Sequence, residues 1–131
     1  MNLNKKIIKT DKAPLPIGSY NQGVVANGFI FTAGQIAIDS ATGKLVEGSF
    51  KDRVEQVFNN LENILKAGGS DLSRVVKFTV FLTDISRYAE VNEVFNSRLA
   101  EDSAPARSLL EASNLPAGTD VEIECVAVIN E

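Results

Sequence analysis

Arg107 and Glu122 are the residues of this chain whose types and surroundings promise chemistry. The arginine opens the apolar run of Ala104-Pro105-Ala106-Arg107-Ser108-Leu109-Leu110, and the glutamate interrupts an alternating pattern in Asp120-Val121-Glu122-Ile123-Glu124. A guanidinium is a planar fork of donors that meets a carboxylate with two bonds at once. A glutamate held nearby can accept a proton or orient a water. Together they suggest a small-molecule site for an anionic substrate. The same residues admit a structural ion pair, Arg107 with Glu122 or Glu124, and spacing alone does not choose. Nor does it separate Glu122 from Glu124, which share one strand parity.

Other chemistries are narrowed by what the chain lacks. It has no histidine, which removes the commonest general base and metal ligand. The one cysteine, Cys125, sits in the apolar strand pattern Ile123-Glu124-Cys125-Val126-Ala127 and reads as a buried structural thiol. No disulfide within the chain and no cysteine-rich zinc site can form. Thr42-Gly43-Lys44 is followed by Leu45 and lacks the glycine of a phosphate-binding loop. A net charge of −4 argues against electrostatic binding of nucleic acid. The 131 residues, 44% hydrophobic and 23% charged, suit one globular domain spanning 1–131. The first residues, Met1 to Ile8, resemble neither a signal nor a transit peptide, and no apolar run is long enough for a membrane span; the expected compartment is the cytoplasm.

The elements that must position Arg107 and Glu122 follow from hydrophobic periodicity. Lys5 to Lys9 is a short strand, and 11–19, with Pro14 and Pro16, is an extended loop. Val24 to Ala26 and Phe29 to Ile38 read as two strands joined by Asn27-Gly28, the second apolar on both parities. A turn-rich connection from Asp39 to Gly48 leads to a helix capped by Ser49 and ended by Gly68-Gly69, with Val54, Val57, Phe58, Leu61, Ile64 and Leu65 as its buried stripe. Arg74 to Leu82 is a strand. A second helix over 85–100 presents Tyr88, Val91, Val94 or Phe95, and Leu99 on one side. Strands at 106–112 and 121–129 flank a turn with Pro116 and Gly118. The order is βββαβαββ. Two helices cover only one face of such a sheet, yet several strands are apolar on both faces, so a further copy of the chain is expected to cover the second.

In this order the motifs resemble the RidA family, the reactive intermediate deaminases formerly called YjgF proteins. Ile17-Gly18-Ser19-Tyr20-Asn21-Gln22-Gly23, Phe31-Thr32-Ala33-Gly34-Gln35-Ile36, the strand Val75 to Leu82, Val91-Asn92-Glu93-Val94-Phe95, Pro105-Ala106-Arg107-Ser108 and Val121-Glu122-Ile123-Glu124 each match a segment of that pattern, over nearly the whole chain. The resemblance implies a chorismate-mutase-like α+β fold with a mixed sheet and two helices on one face. It implies a homotrimer with a site in each cleft between subunits, and no cofactor or metal. The implied reaction is hydrolysis of 2-imino acids, such as 2-iminopropanoate and 2-iminobutanoate, to 2-keto acids and ammonia.

On that pattern Arg107 binds the substrate carboxylate, Glu122 orients the water, and Tyr20 donates a hydrogen bond from its loop. Asn92 helps to hold the site, with main-chain groups around Ala33, Gly34 and Leu109. Three departures bear on substrate choice: Ala33 stands where many relatives have serine, Leu109 where many have cysteine, and Ser19 where proline is usual. Two rival readings remain open. One is a non-catalytic trimer that binds ligands or acts as a holdase. The other is an endoribonuclease or translation inhibitor, as some relatives are labelled, against which the acidic charge and missing histidine speak.

Overall fold

The computed structural model describes residues 4–130. The first three residues of the amino-terminal stretch Met1 to Ile8 lie outside them. Nine strands and two α-helices follow in chain order among the described residues: β1 (Lys6–Ile8), β2 (Gly23–Ala26), β3 (Phe29–Thr32), β4 (Gln35–Ile36), β5 (Ile38–Asp39), β6 (Lys44–Leu45), α1 (Phe50–Ala67), β7 (Val75–Leu82), α2 (Tyr88–Arg98), β8 (Ala106–Glu111) and β9 (Val121–Val128). The expected order βββαβαββ is present, with three short strands added between the third strand and the first helix.

Helix α1 forms where its caps and stripe place it. The Ser49 hydroxyl accepts from the Asp52 amide at 3.1 Å, and the Asp52 carboxylate accepts from the Ser49 amide at 3.2 Å. All six stripe residues are buried. Helix α2 begins at Tyr88, one tight turn later than expected, and packs through Val91, Val94 and Phe95. Tyr88, read as part of the buried stripe, is 54% exposed because it opens the helix ahead of the packed turns.

The main sheet runs β1-β2-β3-β9-β7-β8, antiparallel throughout except for the parallel pair β7–β8, and β4 also pairs with β9. One expectation is corrected here. The strand read from Phe29 to Ile38 breaks at Ala33-Gly34. Phe31 lies opposite Val126 but Gln35 opposite Ile123, so one residue is inserted on this side of the ladder as a bulge. The bulge reverses the parity beyond it: Ile30 faces the helices, whereas Ile36 falls beside Glu122 on the other face. The turn-rich connection expected from Asp39 to Gly48 contributes to a small hairpin, β5 with β6.

The core lies between the helices and one face of the sheet, where Ile30, Phe78, Val80, Leu82, Val121, Ile123, Cys125 and Ala127 are buried. The opposite face is open. It carries Ile7, Phe29, Phe31 and Leu110, each 38–48% exposed, along with Glu122 and Glu124. Among the described residues no helix is long and apolar enough to cross a membrane.

Candidate active site

Strand β8 is the sheet edge, and its pairing with β7 decides where Arg107 points. Arg107 is matched to Phe78, and in a ladder such partners project to the same face. Phe78 is buried beneath the helices, so Arg107 also extends on the helix-covered side. Its guanidinium carbon sits 4.9 Å from the centre of the Phe95 ring. A cavity of about 460 Å³ opens here, lined by Asn92, Phe95, Leu99, Pro105 and Arg107. Among the described residues the four ion pairs are Lys51–Glu93, Arg53–Asp120, Lys66–Glu62 and Arg98–Glu55. Arg107 takes part in none of them, so its structural ion pair with Glu122 or Glu124 does not form within the chain. Burial draws its pKa below the ordinary arginine value, although a guanidinium remains charged.

Glu122 occupies a second site. It lies on β9, on the open face, and lines a smaller cavity of about 160 Å³ with Tyr20, Gly34, Ile36, Ile38 and Pro116. Gly34 lies so close that a β-carbon there would overlap the Glu122 carboxylate, so a larger residue at the bulge would displace that carboxylate. Loss of solvation, and then the neighbouring Glu124, push the pKa of Glu122 above the ordinary carboxylate value. The structure separates the two acids that spacing left equivalent: Glu122 enters the cavity, and Glu124 lies exposed opposite Thr79.

Two buried amides shape this second cavity. Gln22, 1% exposed, donates to the carbonyls of Thr10, Ala13 and Pro14 and accepts from the Thr10 amide at 2.8 Å, tying down the loop that ends at Tyr20. Asn60 on α1 donates to the Ile36 and Ile38 carbonyls at 3.1 and 2.9 Å, fixing the segment after the bulge. Sequence reasoning assigned roles to neither, nor to Phe95 beyond the core. An amide at 60, on the buried side of an apolar stripe, was the available signal. Tyr20, 51% exposed, stands at the rim. Ala33 is half-buried beside Gly34, its amide donating to the Gln22 carbonyl at 2.9 Å, and it stays outside the lining. Leu109, two residues beyond Arg107, packs against the core instead of lining the first cavity.

The predicted residues therefore fall into two sets: Arg107 with Asn92, and Glu122 with Tyr20 and Gly34. Within one chain the sets do not meet. Arg107 and Glu122 are separated by β7, register with residues three apart on it (Phe78 and Phe81), and face opposite sides of the sheet. Standard strand geometry puts their backbones about 14 Å apart. Cys125 joins neither set. Burial pushes its thiol up to about 12, where it stays protonated. Among the described residues no group of three or more acidic, histidine or cysteine side chains could hold a metal ion.

Residues 10–129 match the family model described as endoribonuclease L-PSP. A RutC family protein of Synechocystis sp. is 46% identical over 128 residues, covering 97% of this chain and 98% of the relative. The 2-iminobutanoate/2-iminopropanoate deaminase of Rattus norvegicus is 41% identical over 124 residues, covering 95% of this chain and 90% of the rat protein. The crystal structure of RidA from an Antarctic Psychrobacter species superposes with a TM-score of 0.90 at 44% identity, covering 95% of this chain and 99% of that one.

Proposed function

Because this chain belongs to the endoribonuclease L-PSP family, which includes the reactive intermediate deaminases, we propose that it hydrolyses 2-imino acids and their enamine tautomers to 2-keto acids and ammonia. The observation that carries the reading is a pair of complementary charges, Arg107 and Glu122, each beside a cavity and each without an ionic partner among the described residues.

A 2-imino acid needs both groups. Its carboxylate fits the free fork of Arg107, with the Asn92 amide on the same cavity wall. Its imine carbon is already electrophilic. Glu122, with a raised pKa, takes a proton from a water as that water adds to the carbon of the protonated imine, giving a neutral carbinolamine. Returning that proton to nitrogen makes ammonia the leaving group, and the Glu122 carboxylate takes the hydroxyl proton as the carbonyl forms and the C–N bond breaks. Tyr20 at the rim and the main chain at Gly34 supply hydrogen bonds to the intermediate. Positioning contributes much of the rate because the reaction demands little activation.

Both groups act on one substrate only if the β8 edge of one copy, which carries Arg107, meets the open face of another, which carries Glu122. The assembly we propose is the homotrimer, with the open apolar faces inward and a site in each cleft. The chain is proposed to act as one domain in the cytoplasm.

The test couples an amino acid oxidase, which generates 2-iminopropanoate or 2-iminobutanoate, to semicarbazide, which traps whatever imine survives. The protein should suppress semicarbazone formation, and Arg107→Ala should abolish the suppression while the oligomer stays folded. An Arg107→Ala protein that suppresses the signal as wild type does would refute the carboxylate clamp. No suppression by folded wild type would refute deamination and favour ligand binding.

A further inference from the structure

We propose that Phe95 is a positioning residue for the reaction: its ring is the platform that holds the Arg107 guanidinium in place with its donors free for the substrate carboxylate. The proposal rests on the carboxylate-binding role given to Arg107 above.

Three observations carry it. First, among the described residues no hydrogen bond or ion pair fixes the Arg107 side chain, whereas other arginines here are fixed by acids. Arg53 meets Asp120 with two bonds of 2.9 and 2.7 Å, and Arg98 meets Glu55 at 2.8 Å. The orienting contact of Arg107 is the Phe95 ring, 4.9 Å from the guanidinium carbon. Second, that ring is itself closely packed. Phe95 is 7% exposed and meets Phe58 edge-on at 4.9 Å and 82°, and Phe78 at 5.1 Å and 78°; Phe58 and Phe78 lie 5.6 Å apart. The three rings come from α2, α1 and β7, and Phe78 is the β7 residue paired with Arg107 itself. The platform and the backbone that carries the guanidinium are thus parts of one packed cluster. Third, the chemistry suits binding. An acid would hold the guanidinium by occupying the donors that the substrate needs. A ring face attracts the cation through its quadrupole and leaves every N–H available.

The experiment measures kcat and KM for imine hydrolysis, and the Kd of 2-oxobutanoate as a non-reacting carboxylate probe. It compares wild type, Phe95→Leu, Phe95→Tyr, Arg107→Ala, and a protein carrying 3,4,5-trifluorophenylalanine at position 95. Fluorination empties the ring face of negative potential while preserving packing, so the result survives if Phe95→Leu fails to fold. Expected are a rise of about fivefold in KM and Kd for Phe95→Leu and a smaller rise for the fluorinated ring, with kcat within about twofold and Phe95→Tyr close to wild type. An unchanged Kd in the fluorinated protein, or a loss confined to kcat, would overturn the platform. Failure of the underlying reading looks different: Arg107→Ala would then bind 2-oxobutanoate as tightly as wild type.

Discussion

Glu122 is the residue whose environment most directly predicts behaviour. Its carboxyl is held above the ordinary range first by lost solvation and then by Glu124, which faces the same side of β9. A neighbouring negative charge favours the protonated form of Glu122. Removing it with Glu124→Gln should lower that pKa, so the base ionises at lower pH. The acid limb of the kcat/KM profile is then expected to move to lower pH, without reaching the ordinary carboxylate position because the desolvation remains. An acid limb that stays in place or moves upward would show that Glu124 does not act on the base. Residue types were legible at this scale. The lone arginine after Pro105-Ala106 and the acid inside an alternating strand stand out from the sequence alone. Spacing does not choose between Glu122 and Glu124, because strand parity is the same for both; in the sequence the resemblance alone favours Glu122, and in the structure it is Glu122 that lines the cavity with Gly34 and the turn at Pro116.

Elements were readable where short-range signals agree. Ser49, Asp52 and Gly68 bracket α1, and the stripe between them is buried as its spacing demands. The break after Thr32 was not readable from the apolar pattern, since a bulge is defined by the strand across from it. The device that holds it is Asn60, which reaches from α1 to the Ile36 and Ile38 carbonyls. Asn60→Ala leaves both carbonyls without that donor. An acceptor left unsatisfied costs about 1–3 kcal/mol when fully buried, and these two are part-buried. A fall in thermal midpoint corresponding to about 1–3 kcal/mol is therefore expected, accompanied by lost imine hydrolysis as Gly34 shifts from Glu122. A variant as stable and active as wild type would mean that the bulge is held by the sheet alone.

The whole molecule presents a sheet with one covered and one bare face, with half of the proposed site on each. The bare face was legible: apolar residues on both parities implied a second cover, and Ile7, Phe29, Phe31 and Leu110 stand exposed there. That Arg107 and Glu122 face opposite ways was not legible. Parity is set within a strand, whereas the relation between two strands depends on their shared register with β7. The central claim, that Arg107 of one copy serves Glu122 of another, is tested most directly by complementation. Arg107→Ala and Glu122→Gln, each inactive alone, are given different tags and refolded together, and oligomers containing both are isolated. In a closed ring of three, one cleft in each mixed assembly joins an intact Arg107 to an intact Glu122, so about a third of wild-type activity should return. Mixed oligomers as inactive as their parents would contradict the account and place both groups in a site formed within a single chain.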